Sequence, residues 1–176
     1  MGAMRPFFVM RGNVRNLTRA AVFGALYIVL THLQNFLLPG SASMAIQFRV
    51  SEALCVLAFF TPAAISGLSV GCLLFNLIGY GAVMPWDLLF GTLGSLFAAW
   101  SMYILRKVQI CKIPVLGLLM PSVFNGLLVG LSLHITYGLA FWLNAAYVAL
   151  GELAVMLTLG IALYWLFERH KLKRIL

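Results

Sequence analysis

The chain has 176 residues, of which 63% are hydrophobic and only 9% are charged. Soluble domains carry about 25% charged residues, and a fold of about this size buries only about 70% of the surface that its unfolded chain exposes. This composition excludes a water-soluble globule and a disordered chain, and it indicates an all-α integral membrane protein. The net charge of +8 does not indicate nucleic-acid binding, because the basic residues flank apolar runs, as is typical of membrane proteins.

Six helices are predicted in chain order. A spanning helix needs about 20 apolar residues to cross about 30 Å of hydrocarbon. Apolar runs predict helices at about 17–38, 47–60, 62–83, 86–105, 113–133 and 138–167. The second run is short, and Pro62 ends it because proline disfavours helix at the preceding residue. Since no long polar linker interrupts the chain, residues 1–176 are predicted to form a single membrane domain, a compact six-transmembrane-helix bundle.

Lysine and arginine predict the orientation of these helices. They precede the first helix, connect the fourth to the fifth, and follow the sixth, at Arg5, Arg11, Arg15, Arg19, Arg106, Lys107, Lys112, Arg169, Lys171, Lys173 and Arg174. If these segments are cytoplasmic, an even number of spans separates each from the next, which supports the short second helix. We therefore expect a multi-pass protein of the cell membrane with both termini in the cytoplasm.

Polar residues within the helices are few and share one level of the membrane. In the predicted topology the outer half of the bilayer contains Arg49, Glu52, Asn76, Asp87, Asn144 and Glu152. Intramembrane charges are costly and usually face a partner or a wet cavity. One cation and three carboxylates leave a net charge of −2 if all ionise, which favours a ligand with N–H donors or an amine; raised carboxylate pKa values are the alternative.

Several of these residues have two interpretations. Arg49 and Glu52 are three residues apart and share a helical face, so they either form a mutual salt bridge or contact a ligand. Trp86 is either an interfacial anchor or a platform for stacking, and Trp142 has the same two interpretations. Pairs of small residues four positions apart predict close helix packing at Gly67/Gly71, Gly91/Ser95 and Gly126/Gly130.

Motifs that would indicate chemistry are missing from the sequence. It contains no GxxxxGK[ST] loop, HExxH, CxxC or EF-hand motif, so we expect no ATP hydrolysis by this chain, no metal site and no cofactor. A small bundle with an outer pocket and no energy source predicts a binding subunit. The alternatives are a small membrane enzyme that uses Glu52 or Asp87 as acid or base, and a structural subunit without a pocket.

The sequence also resembles a known family. Residues 47–54 (QFRVSEAL), 87–93 (DLLFGTL) and 151–153 (GEL), together with Pro62, Gly67, Leu68, Gly71, Cys72 and Asn76, resemble the queuosine-precursor S components, the QueT family, of energy-coupling factor (ECF) transporters. The resemblance covers roughly residues 17–165. It implies a substrate-binding subunit that docks on a transmembrane T component driven by two cytoplasmic ATPases.

The resemblance further implies a substrate and a site. The substrate would be queuine or a related 7-deazaguanine, whose adjacent ring N–H and amino donors suit a carboxylate. The implied binding residues are Arg49, Glu52, Asn76, Asp87, Glu152 and Trp86, with Phe75 or Tyr80 as further stacking candidates and the connection near 39–46 closing over the ligand. The family's AxxxA docking motif fits Ala21 and Ala25, beside the parallel small pair Ala20 and Gly24. An S component for a pyrimidine vitamin, riboflavin or pantothenate is the nearest alternative.

Overall fold

The computed structural model describes residues 14–39, 41, 48–79, 85–110 and 112–169. These residues form six helices, named α1 (Val14–Leu37), the 3-10 helix (Val50–Phe59), α2 (Ala63–Gly79), α3 (Pro85–Leu105), α4 (Val115–Tyr137) and α5 (Phe141–Arg169). A π-helical segment, Met156–Gly160, interrupts the α-helical geometry of α5. The predicted all-helical fold and its six helices are confirmed, with boundaries that shift by a few residues.

Four of these helices, α1, α3, α4 and α5, are long and apolar enough to cross a membrane. Their outward surfaces consist of large apolar side chains, and Val29, Ile104 and Leu150 are each more than half exposed. Such continuous apolar exposure is unfavourable in water and is the expected surface of a helix that faces lipid. The orientation of the two termini stays a prediction from the basic residues.

The 3-10 helix lies at the centre of the bundle. Eight of its ten residues are buried, and it contacts all five α-helices. A helix that is apolar on every side is a buried helix. Because a 3-10 helix rises about 2.0 Å per residue, ten residues extend about 20 Å, less than the hydrocarbon thickness. The sequence predicted a membrane span over 47–60, whereas the structure has a shorter, tighter helix that other helices surround.

Small residues bring α1 and α2 into backbone contact. A Cβ atom added to Gly71 would lie 2.8 Å from the carbonyl oxygen of Gly24, and one added to Gly67 would overlap the carbonyl oxygen of Ala20. In the same way, a Cβ atom on Gly130 would lie 2.8 Å from the Cα of Ala145 in α5. The predicted packing role of Gly67/Gly71 and Gly126/Gly130 is therefore confirmed.

We expect Gly67→Ala to lower the free energy of unfolding by about 1–3 kcal/mol, since overpacking forces two backbones apart. Gly79→Ala is the matched control, because a Cβ atom there meets nothing within 4 Å. Reversible unfolding by SDS in mixed micelles measures both variants. Equal stability of the two variants would contradict the observed contact between α1 and α2.

Candidate functional site

A buried ion pair connects the start of the 3-10 helix to α3. Arg49 directly precedes the 3-10 helix, Asp87 lies in the first turn of α3, and both are at least 97% buried. The Arg49 Nη2 atom is 3.3 Å from the Asp87 Oδ2 atom. Of the two interpretations that the sequence left open, a salt bridge with Glu52 or a contact with a ligand, the observed ion pair does not match the first, because the ionic partner of Arg49 lies 38 residues later. Pairing of this kind reduces the cost of placing a charge at membrane depth.

Asn76 of α2 joins this ion pair from the other side. Its Nδ2 atom donates a hydrogen bond to the backbone carbonyl of Asp87, at 3.2 Å. Gly91 leaves the space for this amide, because a Cβ atom there would lie 3.0 Å from Nδ2. Thus the Gly91/Ser95 pair contacts polar side chains and does not only pack helices. The Asn76 Oδ1 and Asp87 Oδ1 atoms are buried and have no hydrogen-bond partner among the described residues.

Glu52 is fully buried and is held by three donors. The Tyr27 hydroxyl donates to Oε1 at 2.6 Å, and the Ser95 hydroxyl donates to the same atom at 2.9 Å. The Cys55 thiol donates to Oε2 at 3.2 Å. Glu52 therefore ties α1, α3 and the 3-10 helix together.

Three polar residues on one face of α1 support the start of the 3-10 helix. Tyr27, Thr31 and Gln34 are spaced by four and then three positions, so they share a face. The Thr31 hydroxyl is 2.7 Å from the Ser51 hydroxyl, and the Gln34 Oε1 atom accepts a hydrogen bond from the Val50 N–H at 2.8 Å. This set was not predicted from the sequence, although its helical spacing continues that of Ala20 and Gly24 and could have indicated it.

Glu152 of α5 is fully buried, and its carboxylate is unusual in its hydrogen bonding. Neither of its carboxylate oxygens has a hydrogen-bond partner among the described residues. Asn125 of α4 faces this carboxylate closely enough for a weak interaction. No hydrogen bond of ordinary geometry joins the two side chains, and both Asn125 amide atoms are buried without another partner among the described residues. Arg49 and Glu52 are close enough to act electrostatically on Glu152. We define the polar cluster as these groups together: Arg49, Glu52, Asn76, Asp87, Asn125 and Glu152.

The remaining candidates have other contacts. Trp86 is 45% exposed and stacks on Phe90 with ring centroids 6.0 Å apart, which fits the interfacial anchor. Trp142 is 76% exposed, and the buried Asn144 amide donates to the Ala140 carbonyl at 2.8 Å. Phe75 is buried, with the His32 ring edge-on to it at 5.0 Å. Tyr80 and most of the connection near 39–46 lie outside the described residues.

The site can therefore offer buried hydrogen-bond acceptors. Buried polar groups are almost always paired, and an unpaired one costs about 1–3 kcal/mol. Within the polar cluster, the oxygens without partners among the described residues belong to Asn76, Asp87, Asn125 and Glu152, and the Ser122, Ser132 and Thr136 hydroxyls of α4 are buried and unpaired as well. A bound molecule with several N–H donors would satisfy them.

A sequence model of the QueT transporter family matches residues 17–169. The chain belongs to this family. Over 89 residues it is 33% identical to the Queuosine precursor transporter QueT of Lactococcus lactis subsp. cremoris (strain MG1363). That alignment covers 49% of this chain and 48% of the relative, so it spans about half the length of the curated protein. No solved structure is significantly similar to the chain.

Membership of the QueT transporter family confirms three predictions from the sequence. The resemblance itself is confirmed, because the match covers most of the chain. The protein is a multi-pass membrane protein, as the family and the four long apolar helices together indicate. The family is one of transporters and not of enzymes, which agrees with the sequence prediction.

Proposed function

We propose that this chain is the substrate-binding subunit of an ECF transporter and that it captures queuine or a related 7-deazaguanine from outside the cell. ATP-driven uptake would then depend on a T component and two cytoplasmic ATPases. The observation that carries the substrate assignment is the set of buried oxygens without donors in the polar cluster. The relative named as a queuosine precursor transporter supports the same substrate class.

A 7-deazaguanine matches the polar cluster in both hydrogen bonding and charge. Its ring N–H and exocyclic amino group are adjacent donors, which one carboxylate accepts together, and charge-assisted bonds of this kind are the strong ones. Arg49 is the cation among the cluster's ionisable groups and Asp87 is its partner, while Glu52 and Glu152 add two further carboxylates. A ligand with several donors, or with an aliphatic amine besides, offsets that excess of acceptors.

Calorimetric titration of the purified full chain tests the proposal. Queuine, its 7-deazaguanine precursors and guanine are titrated separately, and we expect a heat of binding at micromolar concentrations for at least one 7-deazaguanine. Pyrimidine vitamins, riboflavin and pantothenate are the competing ligands, and binding of one of these alone would change the substrate. No heat with any 7-deazaguanine would overturn the proposed substrate and leave the fold unaffected.

The proposed T-component contact is supported by the two faces of α1. Ala20 and Gly24 pack against α2, so they are not available to another protein. Ala21 and Ala25 are exposed on a different face of the helix. Small residues allow a second helix to approach closely in lipid. Because α2 packs on the other face of α1, it does not cover this exposed pair.

Replacing both exposed alanines should separate binding from transport. We expect Ala21→Leu/Ala25→Leu to keep ligand affinity in calorimetry and to lose most substrate accumulation in cells that contain the T component and ATPases. The matched control is Ala154→Leu/Ala162→Leu, which enlarges two exposed alanines of α5. Normal uptake by the α1 variant, or an equal loss in the control, would contradict the proposed docking face.

A further inference from the structure

The polar cluster contains one facing pair, Glu152 and Asn125, whose polar atoms form no hydrogen bond of ordinary geometry with any described residue. In Glu152 the two carboxylate oxygens are unpaired, and in Asn125 the amide oxygen and nitrogen are unpaired, among the described residues. Both side chains are at least 99% buried. Asp87 and Glu52, by comparison, each have donors or a cation on at least one oxygen. Asn125 was not among the residues predicted from the sequence.

The surroundings of this pair are shaped to hold its two groups in place. Gly94 of α3 lies directly against the Asn125 amide, and a Cβ atom there would overlap Oδ1. Asn125 is next to Gly126, which packs on Ala149 of α5, so the same contact sets the distance between α4 and α5. The π-helical segment of α5 begins four residues after Glu152, and such segments inside α-helices often occur at functional sites.

We propose that Glu152 and Asn125 bind the guanine-like edge of the ligand and thereby determine the specificity of the site. This assignment rests on the proposed function. The two Glu152 oxygens accept the ring N–H and the exocyclic amino group, and the Asn125 Nδ2 atom donates to the ring carbonyl. This arrangement satisfies three of the unpaired atoms at once. Asn76 and Asp87, whose remaining oxygens are also unpaired, then face another part of the ligand.

Two probes separate the hydrogen bonds involved. In 7-deazaguanine the carbonyl, the ring N–H and the exocyclic amino group are all present, whereas 7-deazahypoxanthine lacks only the amino group. A hydrogen bond to a charged acceptor is worth about tenfold to a hundredfold in affinity. We therefore expect wild-type protein to bind 7-deazaguanine more tightly than 7-deazahypoxanthine by about that ratio in calorimetric titration.

The variants have different expected signatures. In Glu152→Gln one acceptor is replaced by a donor, so we expect the preference for 7-deazaguanine to fall to near unity. Asn125→Ala removes the carbonyl contact, so affinity for both probes should fall about tenfold with the preference unchanged. Asn76→Ala is the matched control, since it truncates another buried amide of the polar cluster, and it should keep the preference.

The outcomes distinguish this inference from the proposed function. If wild-type protein binds neither probe nor any other 7-deazaguanine, the proposed function fails and this assignment fails with it. If wild-type protein binds with the expected preference but folded Glu152→Gln keeps it, the assignment alone is overturned. Should Glu152→Gln not fold, Gly94→Ala decides, because it displaces the Asn125 amide. A roughly tenfold loss for both probes supports the assignment, and unchanged affinity overturns it.

Discussion

Arg49→Met is expected to lower the free energy of unfolding by about 3–5 kcal/mol, the range found when one member of a buried ion pair is removed. The Asp87 carboxylate would stay buried at membrane depth, with Oδ2 having lost its cation and Oδ1 still unpaired. Methionine keeps most of the length of the arginine side chain, so the loss of stability reflects the removed charge more than the removed volume. Reversible unfolding by SDS in mixed micelles gives the difference.

The double variant Arg49→Met/Asp87→Asn controls this prediction. Neutralising both partners removes the isolated charge, and we expect it to recover most of the stability that the single variant loses. If Arg49→Met unfolds at the same SDS concentration as wild-type protein, the ion pair has no structural role. The interpretation of Arg49 as a ligand contact would then be the better one.

Glu52→Ala is the second change for which a large loss is expected, about 2–5 kcal/mol, because it leaves several buried donors without an acceptor. The hydroxyls of Tyr27 and Ser95 share its Oε1 atom, and each unpaired buried donor costs about 1–3 kcal/mol. Three helical elements lose their common contact at the same time. The same SDS titration measures the loss, with hydrogen exchange on α1 as a second readout.

Glu52→Gln is the matched control for this substitution. Its amide keeps a carbonyl oxygen for the two hydroxyls, so it should retain most of the stability that alanine loses. Since three donors already use the Glu52 carboxylate, we also expect Glu52→Gln to bind 7-deazaguanine with little change in affinity. If Glu52→Gln is stable but no longer binds 7-deazaguanine, Glu52 contacts the ligand directly, as the sequence suggested.

Much of the fold was predictable because the bilayer restricts the possible answers. Apolar runs gave the helices, and small-residue spacing predicted close packing at Gly67/Gly71. Only the structure shows that the neighbour there is α1, at Ala20 and Gly24. The short second helix followed from the parity of the basic segments. The 3-10 geometry of this helix could not be predicted in this way, because it depends on how many helices surround the segment and on the distance that its ten residues must span.

Five of the six residues of the polar cluster, all except Asn125, were predictable from the sequence, but the bonds between them were not. Charges inside apolar runs are rare enough for Arg49, Asp87 and Glu152 to be noticed without a structure. Their partners come from other helices, so spacing along the chain could not identify Asp87 as the ionic partner of Arg49. Asn125 is uncharged and follows ordinary helix spacing, and only its unpaired atoms distinguish it.

The sequence alone determined that this protein is embedded in lipid, that it has six helices and that four charged residues, Arg49, Glu52, Asp87 and Glu152, lie within them, because hydrophobicity and charge are local properties of residues. Tertiary structure decided which acceptors are already bonded and which are left for a ligand. That distinction depends on atoms from distant segments meeting within about 3 Å, the reach of a hydrogen bond. Glu52 and Glu152 are both buried carboxylates in apolar helices, and only the fold separates their roles.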